Sequence, residues 1–312
     1  MNTEKPLIKL YRTRSFSKKM SDTFDFVSEN FHTLLKYITY LLLPVSLVQT
    51  FFMTNFMSGY VESITLIVSD SSADIERMLP WVGSISSYML VMFVGMLLLY
   101  ALTYTMMQLY EQRPDRLQTV TFADMRSSII RMCGRQLVLL VTGVVLMIVI
   151  GLAIGLMIGF STYMILPAII FVIVALPLFA LVSPIYLFED TGVVSAYAKS
   201  VRLGWKTWAG IVAVLTVLYI IGSIISGLIS TPWYIMLMTK NILSAQGETS
   251  GFVSSFGYTA IQYLLGVVSS FCGLCAMGLM AVGLAYQYGH ACDKVDGVGV
   301  DKDIENFETL NN

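Results

Sequence analysis

Residues 136–188 read QLVLLVTGVVLMIVIGLAIGLMIGFSTYMILPAIIFVIVALPLFALVSPIYLF, an apolar run without a charged side chain. About 20 apolar residues cross a hydrocarbon core of about 30 Å, so this run is too long for one membrane-spanning helix. It has the length of two spans joined by a tight turn, which we expect at 159–162. The sequence therefore predicts a transmembrane helical hairpin and, with it, an all-α membrane fold.

The composition of the whole chain is typical of a membrane protein. Of its 312 residues, 56% are hydrophobic and 12% are charged, and this charged fraction is about half that of an ordinary soluble domain. Hydropathy predicts six spans, at 34–57, 85–109, 137–159, 163–188, 207–229 and 258–286. We accordingly expect an N-terminal segment at 1–33, a six-span membrane domain at 34–288 and a charged, disordered tail at 289–312.

The basic residues predict the orientation of these spans. Seventeen of the nineteen lysines and arginines precede the first span or lie at its starting edge (Lys36), follow the sixth, or lie between spans two and three or four and five. Such an excess of positive charge marks the cytoplasmic loops of membrane proteins. We therefore expect a multi-pass protein of the bacterial inner membrane with both termini in the cytoplasm, and with 58–84 and 230–255 outside.

Three segments on the basic side have apolar residues at helical spacing, which is the pattern of helices lying in a membrane surface. Their apolar stripes are Phe16, Met20, Phe24, Val27 and Phe31; Phe122, Met125, Ile129 and Met132; and Val194, Tyr197, Val201, Trp205 and Trp208. Each segment precedes a pair of spans, with Asn30, Gly134 and Gly204 at equivalent junctions. The sequence thus predicts a six-helix bundle built from three parallel repeats of an interfacial amphipathic helix plus a transmembrane hairpin.

Two stretches of this chain resemble a known group of bacterial membrane proteins. The first is RSFSKKMSDTFDFVSENF at 14–31, and the second is a spaced motif made of Pro184, Glu189, Gly192, Ala196, Ser200, Gly204 and Trp208. Both are similar to the membrane domain found beside glycerophosphoryl diester phosphodiesterases and to related, uncharacterised six-span families. The resemblance implies a six-span fold. It implies no catalytic residue, because catalysis in the phosphodiesterase members belongs to a separate soluble barrel.

The candidate site residues face the membrane or pack helices together. Basic side chains expected level with lipid phosphates are Lys18, Lys19, Arg126, Arg131, Lys199, Arg202 and Lys206, although topology anchoring alone would also explain them. Glycines four residues apart, Gly151, Gly155 and Gly159, predict close helix packing inside the chain or a homodimer seam. We expect no catalytic residue, metal site or cofactor, since the spans carry no central charge and the chain has two histidines.

Two functions remain open at this point. The first is a non-catalytic membrane protein that engages lipid or serves envelope assembly, with membrane lipids, and either a second copy or another membrane protein, as partners and no nucleic acid. The alternative is a transporter or permease for an apolar or lipid-like solute, which requires a path with some polar lining. The candidates for that lining are Gln49, Asn55, Gln108 and Gln262.

Overall fold

A computed structural model describes residues 7–69, 75–245 and 251–299 of the chain. These residues form eight α-helices and one short 3₁₀ turn, with no strand among them. The helices are α1 (Phe16–Glu29), α2 (Phe31–Ser69), α3 (Ile75–Gln112), α4 (Phe122–Phe160), α5 (Ile165–Ala180), α6 (Val182–Phe188), α7 (Val193–Ala245) and α8 (Phe256–Asp296). The expectation of an all-α fold is confirmed for this part of the chain.

Six helical segments are long and apolar enough to cross a membrane. Five of them are the single helices α2, α3, α4, α7 and α8, and the sixth is formed by α5 and α6 together. Each matches one predicted span. The hairpin turn is also where the sequence placed it, because α4 ends at Phe160 and the 3₁₀ turn Thr162–Met164 leads into α5. The uncharged run at 136–188 therefore forms two membrane-length helical segments joined by a short connection.

Several helices extend well beyond the predicted spans. The fifth span was expected at 207–229, whereas α7 covers 53 residues, and α8 continues to Asp296. Hydropathy detects only the apolar part of a helix, while backbone hydrogen bonding carries the helix on into polar flanks. As a result, residues 289–296 of the expected disordered tail are helical, and 300–312 lie outside the described residues.

The three predicted junctions between surface helix and span differ in the structure. Asn30 separates α1 from α2, and its side-chain amide donates a 2.9 Å hydrogen bond to the carbonyl of Phe26. Gly134 lies inside the continuous helix α4. In α7 the backbone departs from helical angles at Thr207 (φ −125°, ψ 20°), three residues after Gly204. One junction is a break, one a kink and one has no interruption.

The fourth span is divided into α5 and α6 by Pro184. Proline has no backbone N–H, so it cannot donate to the carbonyl four residues earlier, and its ring crowds that carbonyl. That carbonyl belongs to Ala180, which is the last residue of α5. The interruption of the span is thus located at Leu181, between the two helices.

The chain divides into two compact units. Unit 1 comprises Met1–Leu34, Tyr100–Tyr219 and Leu279–Asn312, and unit 2 comprises Leu35–Leu99 and Ile220–Gly278. In unit 2 the centre of the core is a cluster of leucines from α2, α3 and α8, namely Leu42, Leu99 and Leu274. In unit 1 the large buried side chains are mainly aromatic, and the candidate site is built from them and from the polar groups beside them.

Candidate functional site

Helix α1 has one exposed apolar face and one buried face. Phe16, Phe24 and Phe31, all members of the predicted stripe, are 43%, 40% and 51% exposed. The residues that α1 buries are Lys19, Asp22, Thr23 and Phe26. The three phenylalanines of the stripe are therefore exposed, as expected of a surface that meets lipid, while Met20 and Val27 are half-buried.

Aromatic packing fixes the buried face of α1 in unit 1. Phe26 is fully buried, with its ring centroid 5.1 Å from that of Tyr110 and 6.3 Å from that of Tyr286, both in edge-to-face geometry. The guanidinium of Arg14 lies 5.0 Å from the Tyr286 ring centroid, and its Nε donates to Asp22 at 2.6 Å. Such aromatic pairs and a buried, hydrogen-bonded ion pair hold α1 in one rotational setting.

Lys19 is placed differently from the expectation that it contacts lipid phosphates. Its side chain belongs to the buried face of α1, is 4% exposed, and donates a 2.7 Å hydrogen bond to Gln287 Oε1 of α8. Burial lowers the pKa of Lys19 to about 8, and the nearby charges of Lys294 and Arg14 act in the same direction. Its neighbour Lys18 remains exposed and pairs with Asp22 at 2.7 Å.

The start of α4 differs from α1, because its apolar stripe is covered by protein. Met125, Ile129 and Met132 are buried, and Thr105 Oγ1 donates to Met132 Sδ at 3.3 Å. The basic residues predicted for this segment, Arg126 and Arg131, are exposed. This segment therefore exposes its basic residues and Ile130, which is 62% exposed, but not its predicted apolar stripe.

The start of α7 has an exposed apolar face, as α1 has. Val194 is 83% exposed and Trp205 is 68% exposed, while Ala196, Ser200 and Leu203 on the opposite side are fully buried. Tryptophan prefers the boundary between hydrocarbon and headgroups, because its ring is amphipathic. Exposed apolar residues are thus found in the first and third of the three predicted stripes, although Tyr197 and Trp208 of the third are half-buried.

The spaced motif from the family resemblance packs α7 against α5. Ser200 Oγ donates to the carbonyl of Leu178 at 2.7 Å, and Trp208 Nε1 donates to the carbonyl of Val174 at 3.1 Å. A Cβ on Gly204 would lie 2.9 Å from Leu178 Cα, so only glycine allows this approach. Ala196 is buried on the same face. Four small or hydrogen-bonding residues spaced by four therefore have a packing role.

The remaining motif residues lie at the connection between α6 and α7. Glu189 accepts hydrogen bonds from Lys199 Nζ at 2.7 Å and from the hydroxyl of Tyr288 at 2.6 Å. Gly192 is exposed. The guanidinium of Arg135 donates to the carbonyls of Tyr186, Glu189 and Thr191, and pairs with Asp190 at 3.3 Å. This connection is held by charge-assisted hydrogen bonds from α4, α7 and α8.

Two further basic residues of the expected set lie near this connection. Lys199 also approaches Asp296 at 3.9 Å, and Arg202 donates to Asp296 at 2.9 Å. Lys206 is exposed and takes part in no ion pair among the described residues. Of the seven basic candidates, Arg126, Arg131 and Lys206 are therefore the exposed ones that form no ion pair within the described residues.

The glycine face of α4 does not pack within the described chain. Gly151, Gly155 and Gly159 are exposed, and a Cβ built on any of them would meet nothing within 4 Å. No close packing of these three glycines is seen among the described residues. Gly151 lines an apolar groove of about 300 Å³ in unit 1, walled mainly by α4 and α5, with Tyr197 also in its lining.

Unit 2 contains a cluster of buried polar side chains, in addition to those on the buried face of α1 in unit 1. Thr50 and Ser270 hydroxyls are 3.2 Å apart, and those of Ser230 and Ser269 are 2.6 Å apart. Two predicted polar residues, Gln49 and Gln262, are buried there, with Gln49 Oε1 and Gln262 Nε2 lacking a partner among the described residues. Of the other two candidates, Asn55 is exposed and Gln108 is half-buried.

The residues of α8 that contact the buried face of α1 were not predicted from the sequence. They are Tyr286, which packs against Phe26, and Gln287, which accepts a hydrogen bond from Lys19, and both lie at the end of an apparently ordinary span. A usable signal existed in α1 itself, where Lys19, Asp22 and Phe26 are spaced by three and four and so share a face opposite the apolar stripe. A polar face at such spacing can be buried as easily as solvated once partners are available.

Comparison with protein-family models, curated proteins and solved structures returned no match. Within the described residues, no three histidine, cysteine, aspartate or glutamate side chains are grouped as metal ligands. The features that point to a function are therefore the exposed apolar residues of α1 and α7, the buried polar side chains of α1, and the buried polar side chains of unit 2.

Proposed function

We propose that this chain is a non-catalytic, multi-pass protein of the bacterial inner membrane that engages lipid through α1 and the start of α7 and serves a lipid-related or envelope-assembly role. The observation that carries the proposal is the division of α1 into a buried face and a bare phenylalanine stripe. The proposal includes the resemblance of this chain to the membrane domain of the phosphodiesterase group.

Apolar contact should contribute more than charge to the free energy of association between α1 and lipid. Removing a large apolar side chain from water contributes roughly 1.5–3 kcal/mol when burial is complete. A lysine near an anionic surface contributes about 1 kcal/mol. Even at the half exposure seen for Phe16, Phe24 and Phe31, the stripe would contribute more than a single basic residue. Lipid contact would then hold α1 at the surface, and charge would bias lipid composition.

The orientation and the repeat are parts of this proposal. Seventeen of nineteen basic residues on alternate connections support both termini in the cytoplasm. Three helical hairpins preceded by three segments of similar pattern support a threefold repeat, in which the second segment buries its apolar stripe against protein. The exposed glycine face of α4 supports a contact with a second copy or another membrane protein.

The experiment compares two tryptophans of opposite exposure. One variant keeps Trp205 and another keeps Trp233, which is 1% exposed, with the other three tryptophans changed to phenylalanine. In vesicles containing lipids brominated near the headgroup, Trp205 fluorescence should be quenched and Trp233 fluorescence should not. If aqueous iodide quenches Trp205 and brominated lipid does not, the start of α7 faces water and the proposed lipid contact fails.

A permease is the second candidate function, and the buried polar group of unit 2 favours it. Unpartnered amide atoms of Gln49 and Gln262 could bond a polar part of a solute within a membrane-spanning segment. Uptake of short-chain lipid analogues into vesicles would test it. Transport that is lost in both Gln49→Leu and Gln262→Leu supports a permease. Absence of transport by the parent protein removes this candidate.

A further inference from the structure

Lys19 is a buried cation without a carboxylate partner in the described part of the chain. Its Nζ donates to the neutral amide oxygen of Gln287, and none of the ion pairs there includes it. A buried ammonium without a counter-charge is strongly disfavoured, and proteins retain one where it meets an anion or performs chemistry. The depressed pKa of this lysine has the same origin.

The carboxylates closest to this region are already engaged. Asp22 is bonded by Arg14 and Lys18. Asp293 accepts from the backbone N–H groups of Thr13 and Gly299. The region thus has an excess of positive charge, to which Lys294 also contributes.

The imidazole of His290 supplies no negative charge either. Its Nδ1 accepts the backbone N–H of Arg14 at 3.0 Å, so the ring is oriented by that bond. A neutral or protonated imidazole leaves the balance around Lys19 positive. The missing counter-charge must therefore come from outside these groups.

Gln287 adds a second donor beside Lys19. An ammonium can only donate, so it is the Gln287 amide oxygen that bonds Lys19, and Nε2 remains as a separate donor. This Nε2 is buried and has no partner among the described residues, while the Gln287 side chain is fully buried. A buried N–H donor without an acceptor costs about as much as a lost hydrogen bond.

Gly210 of α7 packs closely against both donors. A Cβ there would lie 3.2 Å from Gln287 Nε2 and 3.4 Å from Lys19 Nζ. Gly210 itself is half-buried. Two convergent donors, one of them charged, thus border a bare stretch of helix backbone.

We propose that Lys19 and Gln287, with Gly210 beside both donors, form a binding site for an anion of the phosphate class. The ammonium supplies the charge and the amide N–H supplies a directed hydrogen bond to a second oxygen. Either a phospholipid headgroup or free phosphate has this chemistry. The headgroup source rests on the proposed lipid contact, and the free-phosphate source does not.

The test measures the melting temperature Tm of the full-length protein in two settings. In neutral detergent, phosphate replaces chloride at equal ionic strength. In nanodiscs, phosphatidylglycerol replaces phosphatidylcholine. We expect a Tm rise of roughly 3 °C in at least one setting, as occurs when a ligand binds only the folded state. A rise in detergent identifies free phosphate as sufficient, and a rise in nanodiscs alone identifies the headgroup.

The variants separate a specific site from general attraction to anions. Lys19→Met and Gly210→Ala should each abolish the rise, the first by removing the charge and the second by covering both donors. Lys36→Met removes an exposed charge at the start of α2, outside the candidate set, and should leave the rise unchanged. Absence of a rise in the parent protein, or equal loss in Lys36→Met and Lys19→Met, overturns the proposal.

A measurement on the parent protein guards against a variant that fails to fold. Bound anion shields the Lys19 amine and raises its proton affinity, so its acetylation at about pH 8 should slow severalfold relative to Lys206, as read by mass spectrometry. Unchanged acetylation at saturating phosphate and in phosphatidylglycerol overturns the site. The quenching of Trp205 is independent of Lys19, so failure here and failure of the lipid contact are distinguishable.

Discussion

Replacing Phe26 with alanine should destabilise the protein far more than replacing Phe24, two residues earlier on the same helix. Phe26 is fully buried between Tyr110 and Tyr286, and Phe24 is 40% exposed. Truncating a buried phenylalanine costs about 3–5 kcal/mol, because a cavity remains and the aromatic pairs are lost. Phe24 lacks such an enclosure, so in detergent its truncation should cost at most roughly 1.5 kcal/mol.

The assay is reversible unfolding in mixed micelles, with limited proteolysis of the N-terminal segment as a second readout. Phe26→Ala should lower the free energy of unfolding by at least about 2 kcal/mol more than Phe24→Ala does. It should also speed cleavage ahead of α2. Equal losses in the two variants would refute the assignment of a buried and an exposed face to α1.

The buried face of α1 also predicts the effect of a charge placed in the exposed stripe. Because the opposite face of α1 is buried, Phe24→Asp should leave α1 docked on the protein. It should instead weaken association of the segment with lipid, measured as reduced protection by vesicles but not by detergent-solubilised protein. Release of α1 by Phe24→Asp in detergent would contradict the packing described for Phe26.

Three further predictions concern packing, protonation and topology. Gly204→Leu should lower the free energy of unfolding by more than about 2 kcal/mol, because the new side chain meets the Leu178 backbone. Gly151→Leu should have almost no effect in detergent, because nothing lies within 4 Å of a Cβ at that position. Unfolding in mixed micelles compares the two variants. The pKa of Lys19 is about 8 when folded against an ordinary 10.5, so only the unfolded state binds the proton between these values. Stability should rise with pH across that window by up to roughly 3 kcal/mol, and should not in Lys19→Met. Cysteines introduced at Ser72 and Ser250, which lie outside the described residues, should be labelled from outside intact cells; protection of both sinks the six-span topology.

Much of the fold follows from local properties of the chain. The hairpin of α4 and α5 could be predicted, because the uncharged run around it exceeds one membrane thickness and has a turn in its middle. The break before α6 was signalled by Pro184, whose missing N–H acts on its own helix. The extension of α7 to Ala245 could not be read from hydropathy, since backbone hydrogen bonds continue where apolar composition ends.

The candidate site was only partly predictable. The exposed stripe of α1 was expected from spacing, and Phe24 and Phe16 lie on it. The similar stripe of α4 is buried, because Met125 and Ile129 pack against protein, a choice that spacing cannot make. Periodicity reveals that a face is apolar without revealing whether lipid or protein covers it.

The sequence by itself determined the number of membrane-length helices, the hairpin turn and the apolar stripe of α1, since each depends on the length or spacing of residues along one segment. Only the tertiary structure decided that Lys19 is buried against Gln287, that Gly204 meets Leu178 while Gly151 meets nothing, and that Glu189 joins Lys199 to Tyr288. These pairings unite residues up to 268 positions apart, and the burial or exposure of a polar side chain depends on which distant partner packing brings to it.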